Sequence, residues 1–215
     1  MTIDFGNEIS VRLNEKVIEL AQVIEKNNFA GFIETVPAYS SLTIFFDLIQ
    51  VRKNYADFPT AFSFVKSFVE NSLKSLSKIH FNLYHLTEIP VNYSEEFAPD
   101  LEFVANNANL AKEKVIEIHT SKIYRVFMIG FLPAFAYMGE VDERIATPRK
   151  QSPRTKIEKG SVGIAGRQTG IYPLESPGGW QIIGKTNLEM FQPESKEISL
   201  LKTGDFVQFY EINQK

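Results

Sequence analysis

Apolar residues recur at helical spacing early in the chain, with Leu13, Val17, Leu20, Ala21 and Ile24 on one face and Ser10 placed to cap the helix they predict. Residues 3–5 begin a strand before it. Gly31 restarts the chain into a β-rich run at 32–36, a turn at 37–40 follows, and a second β-rich run covers 41–47. Thr60 then stands before Phe62, Val65, Val69, Leu73 and Leu76, a second helical face, and residues 79–84 supply a final strand. The order β-α-β-β-α-β is that of a ferredoxin-like split βαβ unit.

From residue 87 the pattern changes. Ile89-Pro90-Val91 opens a strand, and Asp100 starts a short helical pair carrying Leu101, Val104, Leu110, Val115, Ile116 and Ile118. Beyond it lie β-rich runs at 123–132, 161–164, 180–183 and 205–212, separated by Gly and Pro as in a closed or nearly closed barrel. The expected class is α+β, with a ferredoxin-like domain over 1–86 and a β-barrel domain over 87–215. Hydrophobic residues at 44% and charged residues at 23% are ordinary globular usage. No cysteine is present, which excludes disulfides, thiolate metal sites and a cysteine nucleophile. With no signal-like N-terminus and no run of about 18 apolar residues, the expected location is the cytoplasm.

The net charge of −3 conceals an asymmetry. Residues 144–167 hold seven cations (Arg144, Arg149, Lys150, Arg154, Lys156, Lys159, Arg167) against Glu158 alone, whereas residues 86–143 hold ten acids against four cations. A small anionic ligand fits this better than nucleic acid, which needs a broad basic footprint. The same region crowds Arg149, Arg154, Arg167, Gln168, Tyr172 and Trp180 between Gly and Pro turns. Guanidiniums and amides at loop tips are common holders of carboxylates and phosphates.

Four long blocks carry a family resemblance: Met-Ile-Gly-Phe-Leu-Pro-Ala-Phe-Ala-Tyr at 128–137, Asp-Glu-Arg-Ile-Ala-Thr-Pro-Arg-Lys at 142–150, Gly-Ser-Val-Gly-Ile-Ala-Gly-Arg-Gln-Thr-Gly-Ile-Tyr-Pro at 160–173, and Ser-Pro-Gly-Gly-Trp-Gln-Ile-Ile-Gly-Lys-Thr at 176–186. With Val-Pro-Ala-Tyr-Ser-Ser-Leu at 36–42 and Ile-Glu-Ile-His at 116–119, the sequence resembles the family of 5-oxoprolinase B subunits, which includes KipI and allophanate hydrolase subunit 1 proteins. The resemblance implies a cyclophilin-like barrel for the second domain. It also implies partner A and C subunits, and ATP-dependent opening of 5-oxo-L-proline to glutamate, with ATP bound by the assembled complex. Other readings from the same family are a regulatory inhibitor of a sensor histidine kinase and a component of an allophanate hydrolase or carboxyltransferase, the latter needing biotin from another polypeptide.

On this reading His119, Glu96 and Lys185 are the catalytic candidates. Arg149, Arg154, Gln168, Tyr172, Gly178, Gly179 and Trp180 are the substrate-binding ones, expected to meet at one barrel rim. His119 is read either as a helix C-terminal cap or as a proton-exchanging group at the barrel mouth. Asp100 pairs with Glu96 or caps its own helix. The chain departs from the family at Ala134, where a Gly is usual, and at Lys185, where an Arg is usual. That Lys completes a Walker A pattern at 179–186, but Trp180, Gln181, Ile182 and Ile183 read as strand rather than a phosphate-cradling loop. Gly160-Ser161-Val162-Gly163 lacks nucleophile-elbow spacing. No metal site is expected around His80 and His85.

Overall fold

The computed structural model describes residues 1–76 and 85–212 and divides into two compact units, Met1–Leu83 and Tyr84–Lys215. In the first, β1 (Thr2–Asp4), β2 (Phe32–Pro37) and β3 (Ser41–Phe46) form an antiparallel sheet in the order β1-β3-β2. Helix α1 (Val11–Lys26) buries Leu13, Val17, Leu20, Ala21 and Ile24, the face that its spacing predicts. Ser10 holds the N-cap position with extended backbone but makes no side-chain cap bond.

Two features differ from expectation. Asp47 ends β3 instead of extending it, and its carboxylate accepts from the N–H groups of Ile49 and Gln50 (2.8 and 3.0 Å), nucleating α2 (Leu48–Asn54). In α3 (Ala61–Ser75), started by a capping box between Thr60 and Ser63, Phe62 is 58% exposed while Phe64 takes the buried position among Phe29, Tyr55 and Phe58. The strand expected at 79–84 lies outside the described residues.

The second unit is built on a seven-stranded sheet comprising β4 (Leu86–Val91), β5 (Ile123–Ile129), β6 (Ala136–Gly139), β8 (Ser161–Ala165), β9 (Gln168–Ile171), β11 (Gln181–Lys185) and β12 (Phe206–Glu211), with β7 (Arg154–Ile157) and β10 (Ser176–Gly178) paired in a separate ribbon. The sheet order is β11-β8-β9-β6-β5-β12-β4, and only its β4–β12 pair is parallel. The sheet curls until its edges meet: Asn92, just past β4, exchanges both backbone hydrogen bonds with Lys185 of β11 (2.8 and 3.0 Å). Gly184 permits this closure, since a Cβ there would stand 2.6 Å from Val91 Cγ1 and 3.0 Å from the Asn92 carbonyl oxygen. The result is a nearly closed barrel filled by Ile89, Val126, Met138, Ile164 and Val207, with helices α4 (Leu101–Ala108) and α5 (Lys112–Thr120) packing Leu101, Val104, Val115 and Ile118 onto the same core. Among the described residues, no helix is long and apolar enough to cross a membrane.

Candidate functional site

Six of the seven cations in 144–167 are engaged by carboxylates: Arg144 by Asp142, Lys150 and Arg154 by Asp100, Lys156 by Glu175, Lys159 by Glu189, and Arg167 by Glu140 and Glu143. Arg149 is the exception among the described residues. It is exposed, has no carboxylate within ion-pair distance, and its guanidinium lies over the indole of Trp180, 5.8 Å from the ring centroid.

Arg149 lines a cleft of about 250 Å³ together with Tyr172, Gly178, Gly179 and Trp180. Its remaining wall is formed by Phe131, Phe135 and Tyr137 with Pro153 and Pro177. The rings interlock edge to face: Phe135 stands 5.3 Å from Tyr172, 5.4 Å from Trp180 and 4.8 Å from Tyr137. Gly178 is required for this approach, because a Cβ there would meet Tyr172 Oη at 2.4 Å. Burial pushes the Tyr172 phenol up to about 12, against the opposing influence of the Trp180 backbone N–H and of Arg149, so it remains protonated at neutral pH. The loop entering the cleft carries two left-handed residues, Phe131 (φ 67°) and Ala134 (φ 64°). Ala134 thus holds the conformation for which a Gly is better suited, at a strain of about 1–2 kcal/mol.

Glu96, Arg154 and Lys185 line a second cleft of about 250 Å³, with Lys156 and Glu158. Its cations are all paired: Lys185 Nζ meets Glu158 at 2.5 Å and lies 5.4 Å from the Phe97 ring centroid, while Arg154 and Lys156 are held by Asp100 and Glu175 outside the lining. Gln168 opens β9, opposite Gly139 and Ala165, and lines neither cleft. The predicted candidates therefore do not all line one cleft, although the two clefts adjoin where Gly178 pairs with Arg154 in the β7–β10 ribbon. Five, Arg149 included, line the first cleft, three stand in the second, and Gln168 and His119 lie apart.

His119 is fully buried. Thr169 donates its hydroxyl to the Gly163 carbonyl (3.0 Å), so at 3.1 Å it accepts from His119 Nε2–H. Nδ1 is then bare and accepts from the Tyr93 hydroxyl at 2.8 Å. The ring also stacks on Phe209 at 4.6 Å. Burial lowers its pKa to about 3, so the imidazole is neutral and ties α5 to β9 inside the barrel.

Asp100 neither caps its helix nor pairs with Glu96. It stands at the N-cap of α4 without a side-chain cap bond. Its carboxylate accepts two bonds from Arg154 (2.6 and 2.8 Å), one from Lys150 (3.0 Å) and one from the Ile182 backbone N–H (2.7 Å). Burial raises its pKa, but these donors outweigh burial and hold it below the usual carboxylate range. No sequence signal distinguishes this clamp from a cap, because its partners lie 50 to 82 residues away. Among the described residues, no group of three or more His, Asp or Glu side chains is placed to hold a metal.

Comparisons with known proteins place this architecture. The carboxyltransferase domain, subdomain C and D, matches residues 1–201. The 5-oxoprolinase B subunit of Bacillus subtilis is 47% identical over 216 residues, covering 100% of this chain and 90% of that protein. A solved structure of conserved uncharacterized protein PH0987 from Pyrococcus horikoshii is 44% identical with a TM-score of 0.59, covering 99% of this chain and 94% of the other. The TTHA0988 structure is 30% identical with a TM-score of 0.83 over all of this chain, which spans 40% of that longer one. Matched across both units, the chain belongs to the family of 5-oxoprolinase B subunits.

Proposed function

We propose that the chain works as the B subunit of an ATP-dependent 5-oxoprolinase, opening 5-oxo-L-proline to L-glutamate together with A and C subunits, and that the Arg149 cleft receives the substrate. The observation that carries this reading is an unpaired guanidinium laid over the rim of an aromatic cleft. A five-membered lactam carrying one carboxylate is a small, flat anion. Its carboxylate suits Arg149, whose planar fork can form two parallel bonds, and its ring suits the aromatic lining, where Phe131 is exposed while Tyr172 and Trp180 are buried beneath it. The Tyr172 phenol, protonated across the physiological range, is a donor rather than a base.

ATP, bound at the level of the assembly, supplies activation of the stable lactam oxygen before water attacks. Cationic groups beside the reacting amide offset the developing charge, the role open to Lys185 if a partner chain joins the two clefts, whereas Arg154 is held by Asp100. His119 contributes by holding α5 against the barrel rather than by exchanging protons with solvent. The finer fold reading, a ferredoxin-like first domain and a cyclophilin-like barrel, belongs to the same proposal, as does a cytoplasmic location.

Co-expression with candidate A and C subunits tests this directly. ATP hydrolysis dependent on 5-oxo-L-proline is expected only when all three chains are present. Full activity without this chain removes the proposal.

A further inference from the structure

Arg149 is free at its tip but not at its root. The carbonyl of Pro148 accepts from Gln181 Nε2 at 2.9 Å, and the N–H of Lys150 donates to the Gly179 carbonyl at 2.7 Å. Both neighbours of Arg149 are thus tied to the segment that carries Trp180. The next anchor is Asp100. Lys150 and Arg154, at the two ends of a five-residue stretch, both bind its carboxylate, whose fourth bond comes from Ile182, two residues beyond Trp180. A single buried carboxylate therefore holds both walls of the cleft. It binds two of the three cations in residues 149–154, Lys150 and Arg154, and leaves Arg149 without a carboxylate partner among the described residues.

We infer that Asp100 is a positioning residue that fixes the Arg149 loop against the Trp180 strand and so sets the affinity of the cleft for a small carboxylate. The inference rests on the proposed substrate reading only for the identity of that carboxylate. The geometry explains why a carboxylate sits where an anion site is being built. Bound bidentately by Arg154, it is spent on scaffolding, and it directs the remaining cation, Arg149, outward. At metal sites, groups that orient a ligand residue without touching the metal change affinity by about 10- to 100-fold when removed, and an effect at the lower end of that range is expected here.

A double-variant cycle in the reconstituted three-chain enzyme tests it. Asp100→Asn is expected to raise KM for 5-oxo-L-proline about tenfold. Added to Arg149→Ala, it is expected to change KM by less than about twofold, since nothing remains to be positioned. Lys150→Met, which removes one anchor at a half-exposed side chain without orphaning Arg154, is expected to raise KM about threefold in the Arg149 background alone. In the isolated full chain, Trp180 is the single tryptophan. Asp100→Asn is expected to reproduce the change in its emission that Arg149→Ala causes. Emission unchanged by Asp100→Asn, or KM effects that simply multiply, would overturn the positioning role. An unchanged KM in Arg149→Ala instead removes the substrate reading, while the emission comparison still decides whether Asp100 holds Arg149 in place.

Discussion

Replacing Arg149 by alanine is expected to lower kcat/KM for 5-oxo-L-proline about 10²-fold in the assembled enzyme while leaving the fold intact. The two halves of this expectation come from the same geometry. Because Arg149 is exposed and lacks an ion-pair partner, its removal costs the folded chain only a cation–π contact, about 0.5–1 kcal/mol. A bound substrate loses its counter-charge inside an aromatic cleft, where water replaces the lost bonds poorly. Arg149→Lys keeps the charge but not the planar fork or its stacking on Trp180, so a loss of about tenfold is expected. Steady-state kinetics beside thermal unfolding of the same preparations separate the two effects. A variant with normal melting and normal kcat/KM would remove Arg149 from the site.

The second large effect is on stability. His119→Ala is expected to destabilise the chain by about 3–5 kcal/mol, measured by urea unfolding. The cavity under Phe209 and the Tyr93 hydroxyl left without its acceptor add together. The same residue sets a pH dependence. Above pH ~6.5 it is neutral in both folded and unfolded chains and contributes no slope. Below that, the unfolded chain takes up a proton that the folded chain, with its pKa near 3, refuses. Stability should therefore fall by up to about 1.4 kcal/mol per pH unit between pH ~6.5 and ~3 on this account alone. His119→Gln should flatten that limb of the profile, and an unchanged slope would place the proton elsewhere.

Much of this was legible in the residues. The α1 face follows from spacing alone, and the strand character of Gln181–Lys185 was visible in its β-branched and bulky residues despite the Walker-like lettering. Helix α2 was hidden because Leu48, Ile49 and Val51 continue the apolar run of β3, and only the geometry of Asp47 as a cap separates them. In α3 both Phe62 and Phe64 fit an apolar surface, and tertiary packing chose Phe64.

The site divides in the same way. The Gly and Pro turns and the cation excess point to the segment that carries the proposed cleft, but charge counting could not say which cations were already satisfied. Arg154 reads like Arg149 in the sequence, yet it is held by a carboxylate 54 residues away. Arg149 and Arg154 line different clefts for that reason, since long-range ion pairing holds one and leaves the other exposed, while Gln168, on β9, lines neither. His119 likewise carries no local mark of its burial, which depends on Thr169 and Phe209 from distant strands.

The most direct measurement is the rate at which a dicarbonyl reagent modifies each arginine of the assembled enzyme, followed by peptide mass spectrometry with and without 5-oxo-L-proline. Arg149 should react readily and be protected by substrate, while Arg144, paired with Asp142 outside the cleft, should react equally in both conditions. Modification of Arg149 at the same rate with and without saturating substrate would contradict the placement of the acid in this cleft.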